Sequence, residues 1–566
     1  MKEVSLMPIP SVNRKISQKI GGFCTIAEAL DYAAEGETGL CFHDHLGRLT
    51  DSVTYRELRV RALKMAGHLH SFRFNRGHAV AIVAETSVDF LSVFYGCQYA
   101  GVVACPLPFA VYPGGKTSYI DRLAAFVKAA NARLLILPDA LSNFTEELEK
   151  KTRIIVTSVC ALERMDFTPS FTPLMENELA YIQFSSGSTF EPKGIQIPQF
   201  AVAANVNGIL RECISIGPED RAFSWLPFYH DMGLVGFSIA PLFSQTTVDY
   251  ISPTTFARRP ILWLELISKK RCTITYAPVF GYRLAAKRLK IATGDLDLSC
   301  LRLAGVGGDM IDIDQLQEFQ NAASLYGFDA NAFTPSYGLA ESTLLVAFKK
   351  GLTVERLNRR KLGEGIAEHL GENGSGGRSF VVCGRPLDGH KFAVLGTDGS
   401  ELGERRVGRI CIKGPSLMLG YCNPKMQLDW ATDDGHLDTG DMGYLSDGEL
   451  VITGRYKEMM IINGRNIWPQ DIENVVASAI PERPSTRMAA FSYKTGNSDE
   501  VIVLLEFVSL NNDELEAYRT EIARALSASM GLGAKVIFVR PGTIPLTSSG
   551  KISRLGAKNT YLSEQC

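Results

Sequence analysis

The first third of the chain alternates between short apolar runs and longer segments in which apolar residues recur at helical spacing. Ala79–Ala84, Gly101–Cys105 and Ala132–Leu137 have the length and composition of buried strands. Between these runs, Val88–Ala100 and Ile120–Ala130 have the apolar spacing of helices. Strands that alternate with helices in this way are typical of a parallel sheet covered by helices. The pattern therefore predicts an α/β fold.

Composition and charge narrow the class of protein. The chain has 566 residues, of which 46% are hydrophobic and 21% charged, so it is long enough for two or more domains with large cores. Its formal net charge of -2 provides no electrostatic footprint for nucleic acid or an acidic membrane surface. Phe90–Gly115 is uncharged and long enough to span a bilayer, but prolines and glycines interrupt it. We expect a buried helix and a strand there, with no integral membrane segment and no nucleic-acid partner.

Cysteine usage and the amino terminus bear on the compartment. The 12 cysteines are scattered, without a Cys-x-x-Cys pair or a His/Cys cluster at metal-ligand spacing. This distribution is typical of buried thiols in a reducing compartment. Met1–Ser11 lacks the cationic segment and apolar run of a secretory signal. These features predict a cytoplasmic location.

One stretch, Tyr181–Gly194, joins a buried strand to a polar turn and a lysine. The turn consists of Ser185, Ser186, Gly187, Ser188 and Thr189. Backbone amides and hydroxyls of such a turn can converge on one anion, and Lys193 adds a positive charge. The spacing differs from Gly-x-x-x-x-Gly-Lys-Ser/Thr, because no Ser or Thr follows Lys193 directly. The stretch predicts a phosphate-binding turn; a solvated Ser/Gly turn is the alternative.

Two further segments have the composition of corners beside a cavity. His230 and Asp231 are bracketed by a proline and two glycines, which predicts a strand-to-helix corner that places the imidazole beside a cavity. A histidine satisfied inside a core is the alternative. Leu301–Asp309 has the pattern of a strand that ends in a glycine-rich turn, a feature common to doubly wound sheets.

The carboxyl-terminal half adds side chains suited to a nucleotide. Tyr337 could stack on a base, and Glu341 could hold a hard cation such as Mg²⁺. Asp441 can accept hydrogen bonds from ribose hydroxyls, and Arg455 can donate to them. Lys551 lies on a flexible polar turn. Taken alone, the segment of Tyr337 and Glu341 is more typical of an exposed turn with a surface glutamate, and Lys551 of a solvated lysine.

Taken in order and at their separations, these stretches resemble the adenylate-forming superfamily of acyl-CoA synthetases, peptide-synthetase adenylation domains and luciferases. The resemblance covers nearly the whole chain. Its most specific parts are Ser185–Gly194, Tyr337–Glu341, Asp438–Asp441, Gly454-Arg455 and Ser549–Lys551. Within the superfamily, the chain is most similar to the fatty acyl-AMP ligases, on the segments Leu226–Gly236, Ser336–Glu341 and Asn463–Glu473.

The resemblance implies a large amino-terminal domain of mostly parallel sheets covered by helices, at 1-456. A small mobile α+β domain at 457-566 would follow, with Lys457 as the hinge. An insertion at about 345-378 is a further family feature. In fatty acyl-AMP ligases it is thought to pack between the domains and to hinder the rotation that would admit coenzyme A. A floppy surface loop is the alternative.

The resemblance also implies roles for individual residues. Glu341 would bind Mg²⁺, His230 would steer the carboxylate, and Lys551 would bridge that carboxylate and the α-phosphate. The implied ATP-binding residues are Ser185, Ser186, Gly187, Ser188, Thr189, Lys193, Gly307, Gly308, Ser336, Tyr337, Gly338, Ala340, Asp441 and Arg455. Ala340 departs from the superfamily, because many members have there a threonine that contacts the α-phosphate. The expected fatty-acid tunnel, in which each residue could equally be plain core, comprises Met232, Tyr276, Val279, Phe280 and Val306.

The implied activity is ATP-dependent conversion of a medium- or long-chain fatty acid to an acyl-adenylate, with transfer to the phosphopantetheine arm of an acyl carrier protein. The first alternative is a fatty acyl-CoA synthetase. The second is a nucleotide-binding scaffold without turnover, which would not need Glu341, Lys551 and the phosphate-binding turn together. A peptide-synthetase adenylation domain is less favoured, because its usual aspartate would fall near Phe228 or Tyr229.

Overall fold

The computed structural model describes residues 16–109, 115–185, 192–291, 295–371, 377–423, 432, 434–462, 465–480, 487–495, 498–507, 512–546 and 552–565. The strands are β1 (Gly39–His43), β2 (Leu49–Thr54), β3 (Ala79–Ala84), β4 (Val103–Pro108), β5 (Leu134–Leu137), β6 (Ile155–Ser158), β7 (Leu179–Ser185), β8 (Lys193–Pro198), β9 (Arg221–Ser224), β10 (Thr247–Tyr250), β11 (Ile274–Ala277), β12 (Leu303–Val306), β13 (Phe333–Gly338), β14 (Leu345–Phe348), β15 (Val354–Asn358), β16 (Gly377–Pro386), β17 (Lys391–Leu395), β18 (Gly408–Lys413), β19 (Gly420–Tyr421), β20 (Leu437–Ser446), β21 (Glu449–Arg455), β22 (Met460–Ile462), β23 (Arg465–Ile467), β24 (Met488–Thr495), β25 (Ser498–Glu506) and β26 (Lys535–Val539).

The helices connect these strands along the chain. They are α1 (Ile26–Ala33), α2 (Tyr55–Leu69), α3 (Val88–Ala100), α4 (Gly115–Ala129), α5 (Thr145–Thr152), α6 (Val159–Leu162), α7 (Gln199–Gly208), α8 (Asp231–Leu234), α9 (Ala240–Ser244), α10 (Pro253–Arg258), α11 (Ile261–Lys270), α12 (Val279–Leu289), α13 (Ile313–Ala323), α14 (Arg359–Gly363), α15 (Pro469–Ala479), α16 (Asn512–Met530) and α17 (Arg554–Gln565). Two π-helical segments, Ile209–Cys213 and Val235–Ile239, extend α7 and join α8 to α9. In the described part of the chain, no helix is both long and apolar enough to cross a membrane.

A seven-stranded sheet contains the strands predicted from the first third of the chain. Its order is β19-β8-β7-β4-β3-β5-β6, and β3, β4, β5, β6 and β7 run parallel. The predicted helix at Val88–Ala100 is confirmed: the Ser87 side chain accepts a hydrogen bond from the Phe90 amide at its start, and Gly101 ends it in the left-handed conformation. The uncharged stretch from Phe90 therefore forms a buried helix followed by the buried strand β4, as expected.

The larger sheet has a parallel part and an antiparallel part. From β1 through β10, β9, β11 and β12 to β13 the neighbouring strands are parallel. From β13 through β14, β16, β21, β20 and β18 to β17 they are antiparallel. The parallel part was predicted and the antiparallel part was not. Because parallel strands end at one edge, their carboxyl ends create a common crevice for a site.

Residues beyond 458 form a smaller α+β unit. Strands β24, β25 and β26 make one sheet, in which β24 and β25 are antiparallel and β26 is parallel to β25. Alternate residues of β25 serve two hydrophobic clusters: Val501 and Val503 pack with α15 and α16, while Ile502 and Leu504 pack with Tyr561 of α17. The chain thus has a large amino-terminal and a smaller carboxyl-terminal domain.

The segment predicted as an insertion contains regular structure. β15 pairs antiparallel with β16, and Leu357 and Leu362 are buried in a cluster with Trp468. Helix α14 packs against β23 of the smaller domain. Over its described residues the segment is therefore not a floppy surface loop.

All 11 cysteines of the described chain are free thiols.

Candidate active site

A cavity of about 750 Å³ lies at the carboxyl ends of the parallel strands of both sheets. Gln183 belongs to β7, Tyr276 to β11 and Ser336 to β13, while Gly308 closely follows the end of β12. The segment around the predicted hinge also lines the cavity, through Tyr456, Lys457 and Glu458. The position agrees with the rule that open α/β sheets bind ligands outside the carboxyl ends of their strands.

Lys193, Glu341 and Tyr421 form one polar group in this cavity. The Tyr421 hydroxyl donates to Glu341 Oε1 at 2.9 Å, and Lys193 Nζ lies 5.5 Å from the centroid of the Tyr421 ring. Burial raises the pKa of the Glu341 carboxyl, although the hydrogen bond from Tyr421 and the charges of Lys193 and Arg455 oppose that rise. Glu341 is therefore a partly desolvated carboxylate with an adjacent cation.

Asp441 and Arg455 are brought together by strand register. They pair directly across β20 and β21, and Arg455 Nε lies 3.2 Å from Asp441 Oδ1. The Tyr337 hydroxyl donates to Asp441 Oδ2 at 2.8 Å. The charge of Asp441 is the main cause that raises the pKa of Arg455. Tyr337 is thus hydrogen-bonded to Asp441. It is not among the described residues that line the cavity.

His230 lies at the predicted strand-to-helix corner. Its Nδ1 is 2.7 Å from Asp231 Oδ1, and α8 begins at Asp231. Because an ionised carboxylate only accepts, Nδ1 carries a hydrogen and Nε2 is left for other partners. Gln183 Nε2 donates to the Tyr229 carbonyl at 2.7 Å, which fixes this corner to β7.

The glycine-rich turn and the end of β13 form another part of the cavity wall. Gly308 has a φ of +80° and lines the cavity beside Met232, whose Cε would be 3.0 Å from a Cβ at that position. Gly307 lies behind it, where a Cβ would come within 2.7 Å of Ser336 Oγ. The further predicted residues that line the cavity here are Ser336, Gly338 and Ala340.

The predicted tunnel residues divide into two groups. Met232 and Tyr276 line the cavity, and the Tyr276 hydroxyl is 3.3 Å from Cys213 Sγ. Val279, Phe280 and Val306 do not appear among the described lining residues; they pack with the main hydrophobic core. The tunnel prediction for all five residues rested on their position in the sequence next to the site.

Several predicted residues lie outside the described residues. They are Ser186, Gly187, Ser188 and Thr189 of the phosphate-binding turn, and Lys551. For Ser185 the described part is its backbone at the end of β7.

An ionic group joins the cavity edge to the smaller domain. Arg554 donates from Nε and Nη2 to both carboxylate oxygens of Glu473, at 2.8 and 2.7 Å, and from Nη1 to Glu458 Oε2 at 2.8 Å. Burial lowers the pKa of Arg554, but the two carboxylates more than offset this and raise it. Glu458 adjoins the predicted hinge residue Lys457. Because Arg554 is the first residue of α17, its contact with Glu458 holds the start of this helix at the cavity edge.

A second contact joins the insertion to the smaller domain. Arg378 Nε lies 2.7 Å from Asp471 Oδ1, with side chains only 9% and 6% exposed. The Arg378 guanidinium also lies 5.3 Å from the Trp468 ring centroid. Trp468 in turn covers Gly454, where a Cβ would come within 2.1 Å of the indole Cδ1. We call these four residues the junction.

Sequence reasoning missed some residues of the site. Arg409 and Tyr421 line the cavity, and Arg409 Nη1 pairs with Asp438 Oδ2 at 2.7 Å. Both lie on antiparallel strands that the sequence pattern did not reveal. Gln183 did carry a signal, since it is a polar residue in the middle of an otherwise apolar strand.

The chain is similar to known proteins over nearly its whole length. Residues 38–422 match the family described as AMP-binding enzyme, and residues 464–558 match the AMP-binding enzyme C-terminal domain. A candidate acyl-CoA synthetase of Caulobacter vibrioides is 39% identical, over 99% of each chain. The medium-chain fatty acid–acyl carrier protein ligase JamA of Moorena producens is 30% identical, over 95% of each chain.

A solved structure is similar over the same extent. It comes from work on fatty acyl-adenylate ligases from E. coli and L. pneumophila, with a TM-score of 0.90 and 36% sequence identity. The match covers 97% of this chain and 100% of that one. The predicted resemblance to adenylate-forming enzymes is thereby confirmed.

Proposed function

The chain belongs to the AMP-binding enzyme family, and we propose that it joins a medium- or long-chain fatty acid to AMP. ATP would supply the adenylyl group, pyrophosphate would leave, and the acyl group would pass to the phosphopantetheine arm of an acyl carrier protein. The observation that carries the proposal is one cavity whose lining combines polar and apolar side chains. The polar ones include Lys193, His230, Glu341, Asp441 and Arg455, and the apolar ones include Leu210, Ile214 and Phe237.

The nucleotide would lie along the polar wall. Asp441 can accept from ribose hydroxyls and Arg455 can donate to them, while the Tyr337 hydroxyl holds Asp441 in place. Gly308, Ser336 and the end of β13 would border adenine. Lys193 and the turn from Ser185 to Thr189 would bind the β- and γ-phosphates. Phosphoryl chemistry of this kind depends mainly on positioning and on preorganised positive charge.

Glu341 is suited to Mg²⁺. Magnesium is usually held by one or two carboxylates together with substrate phosphates and water. Glu341 offers one such carboxylate, of which Oε2 remains for a metal because Tyr421 donates to Oε1. The described residues contain no group of three or more His, Cys, Asp or Glu that could hold a metal without a substrate. When bound, the ion would neutralise phosphate charge.

The fatty carboxylate would lie beside His230. It is ionised at neutral pH, so it needs to be steered rather than deprotonated. With Nδ1 held by Asp231, the His230 Nε2 edge can point toward the substrate. Lys551 would bridge the carboxylate and the α-phosphate. Ala340 offers no hydroxyl for the α-phosphate, which leaves more of that task to Lys551.

The choice of acyl acceptor would depend on the insertion. We place the domain boundary at 456/457, the hinge at Lys457, and the insertion at about 345-378. The junction ties the end of the insertion to the smaller domain through the buried Arg378–Asp471 pair. A smaller domain held in this way would rotate less freely to admit coenzyme A.

The cytoplasmic location stays a prediction, which free cysteines are consistent with.

Pyrophosphate exchange tests the first half-reaction. Labelled pyrophosphate should enter ATP only when a fatty acid such as laurate is present. Lys551→Ala should lower this exchange by about 10²- to 10³-fold, the typical loss for one preorganised donor. Lys535→Ala, an exposed lysine on β26, is the control and should leave it unchanged. Exchange that ignores the fatty acid, or normal exchange in Lys551→Ala, would contradict the assignment.

The acceptor is tested separately. Given ATP and laurate, the enzyme should form a thioester on a holo acyl carrier protein and little on free coenzyme A. Comparable rates with coenzyme A would make the chain an acyl-CoA synthetase instead.

A further inference from the structure

The apolar arm of the cavity follows one helical wall away from His230. Residues 231–244 are continuously helical through α8, the π-helical segment and α9. The lining residues recur along one face of this wall: Met232, Gly236, Phe237, Ala240, Pro241 and Ser244. At a rise of about 1.5 Å per residue, Ser244 is about 20 Å along the helix from His230. The arm therefore has the length scale of a long acyl chain.

The opposite wall runs in the same direction. Tyr276 lies near the carboxyl end of β11, and Ile274 begins that strand. Ala222 of β9 pairs with Ile274, and Thr246 immediately precedes β10. All four line the cavity. The arm thus passes from the carboxyl edge of the parallel strands to their amino edge, where Thr246 meets Ser244.

Two hydroxyl groups stand together at this far end. Ser244 is 0% exposed and Thr246 is 4% exposed. Their oxygens, Ser244 Oγ and Thr246 Oγ1, are 2.8 Å apart. Ser244 Oγ also lies 3.3 Å from the Ala240 carbonyl. The side chains that line the arm before them are largely apolar: Ile209, Leu210, Ile214, Ile216, Phe237 and Ile274.

This pair keeps unused hydrogen-bonding capacity in either orientation. If Ser244 donates to the helix carbonyl, Thr246 donates to Ser244, and the Thr246 oxygen retains its acceptor sites. If Ser244 donates to Thr246, the Thr246 hydrogen is available to a further acceptor. An alkyl end satisfies neither arrangement, whereas an alcohol both donates and accepts and so satisfies both.

We propose that the arm selects fatty acids that carry a hydroxyl group at or near the end distal to the carboxylate. The inference rests on the proposed function, because it requires the apolar arm to hold the acyl chain. The carboxylate at His230 and the hydroxyl at the Ser244–Thr246 pair would fix both ends of the substrate. The pair would then set the class of acid, and the distance between the two sites would set its length.

The test compares matched acids in pyrophosphate exchange. The acids are dodecanoate and 12-hydroxydodecanoate, together with the corresponding pairs of about 10 to 16 carbons, a range of chain lengths chosen to match the length of the arm. The value of kcat/KM is measured for each acid. Thr246→Val removes the hydroxyl at nearly constant volume, and Ser244→Ala/Thr246→Val removes both. Thr247→Val makes the same change one residue further, where the side chain does not line the cavity. Thermal melting and circular dichroism confirm that each variant is folded.

The ratio of kcat/KM for hydroxy acid over alkyl acid is the decisive quantity. In the wild type it should be highest at one chain length. At that length Thr246→Val should lower it by about 3- to 10-fold, the typical effect of one net hydrogen bond, and Thr247→Val should not. A ratio that is the same in wild type, Thr246→Val and the double variant at every length overturns the inference while leaving adenylate formation intact. Absence of exchange with both kinds of acid overturns the proposed function itself.

Discussion

The junction yields a quantitative prediction about Arg378. Arg378 and Asp471 are both almost fully buried. Burial raises the pKa of Asp471 and lowers that of Arg378, so desolvation acts against both charged forms. Removing one partner of such a pair leaves the other charge buried and uncompensated, which costs about 3–5 kcal/mol. Arg378→Met should therefore destabilise the folded protein by that amount.

A double-mutant cycle measures the coupling. Replacing both partners, in Arg378→Met/Asp471→Leu, should be much less destabilising than either single change, since apolar replacement of a buried pair is often neutral. Urea unfolding followed by tryptophan fluorescence is the assay, with Trp468 at the junction as a local probe. Arg271→Met breaks the exposed Arg271–Asp297 pair, whose side chains are 54% and 55% exposed. That control should cost about 0–1 kcal/mol.

The same variants test the restraint on domain rotation. If the junction holds the smaller domain, the double variant should form laurate thioester on free coenzyme A faster than the wild type does. Single variants as stable as the Arg271→Met control would refute the argument from burial. A double variant that restores stability but gains no thioester on coenzyme A would refute the argument from restraint.

Three further predictions concern the cavity. Burial raises the pKa of Glu341, so the charged form of its carboxyl destabilises the folded protein above that pKa. Glu341→Gln should therefore raise the melting temperature at neutral pH, and the difference from the wild type should disappear at acid pH. Pyrophosphate exchange should fall in the same variant. A melting temperature that does not change with this substitution would contradict the shift. Tyr337→Phe removes the hydrogen bond to Asp441 and should raise KM for ATP by about 2- to 12-fold, while KM for the fatty acid stays unchanged. An unchanged KM for ATP would contradict the role of this hydrogen bond in nucleotide binding. Glu458→Gln weakens the contact with Arg554 and should slow adenylate formation more than transfer from preformed acyl-adenylate, so equal slowing of both steps would argue for a merely structural role.

Local patterns predicted the parts of the fold that depend on local physics. Val88–Ala100 was predicted as a helix from its apolar spacing, and the structure has the same bounds. The structure adds the Ser87 cap and the left-handed Gly101 at its ends, which also act within a few residues. The antiparallel strands from β14 to β21 were not predicted. Several of their pairings, such as Ala347 with Pro386 and Val382 with Val451, join residues far apart in the chain. Such register follows from tertiary packing rather than from sequence periodicity.

The candidate site was predictable to a similar extent. Residues whose chemistry is unusual for their setting, such as His230 and Glu341, were identified and do line the cavity. Val279 and Phe280 stay a prediction for the tunnel; they pack with the core and are not among the described residues that line the cavity. An apolar residue near a site has the same composition whether it faces a ligand or the core. Tyr421 was missed, since a tyrosine on a two-residue strand carries no signal until its partner is known.

The contact between Trp468 and Gly454 links the end of β21, next to the predicted hinge, to the smaller domain. The indole lies against bare backbone one residue before Arg455, so a single added methyl would act as a wedge between the two domains. Such a wedge would act on the contact between the two domains directly beside Arg455. Position 454 is therefore a point at which a single added methyl would disturb the packing between the domains.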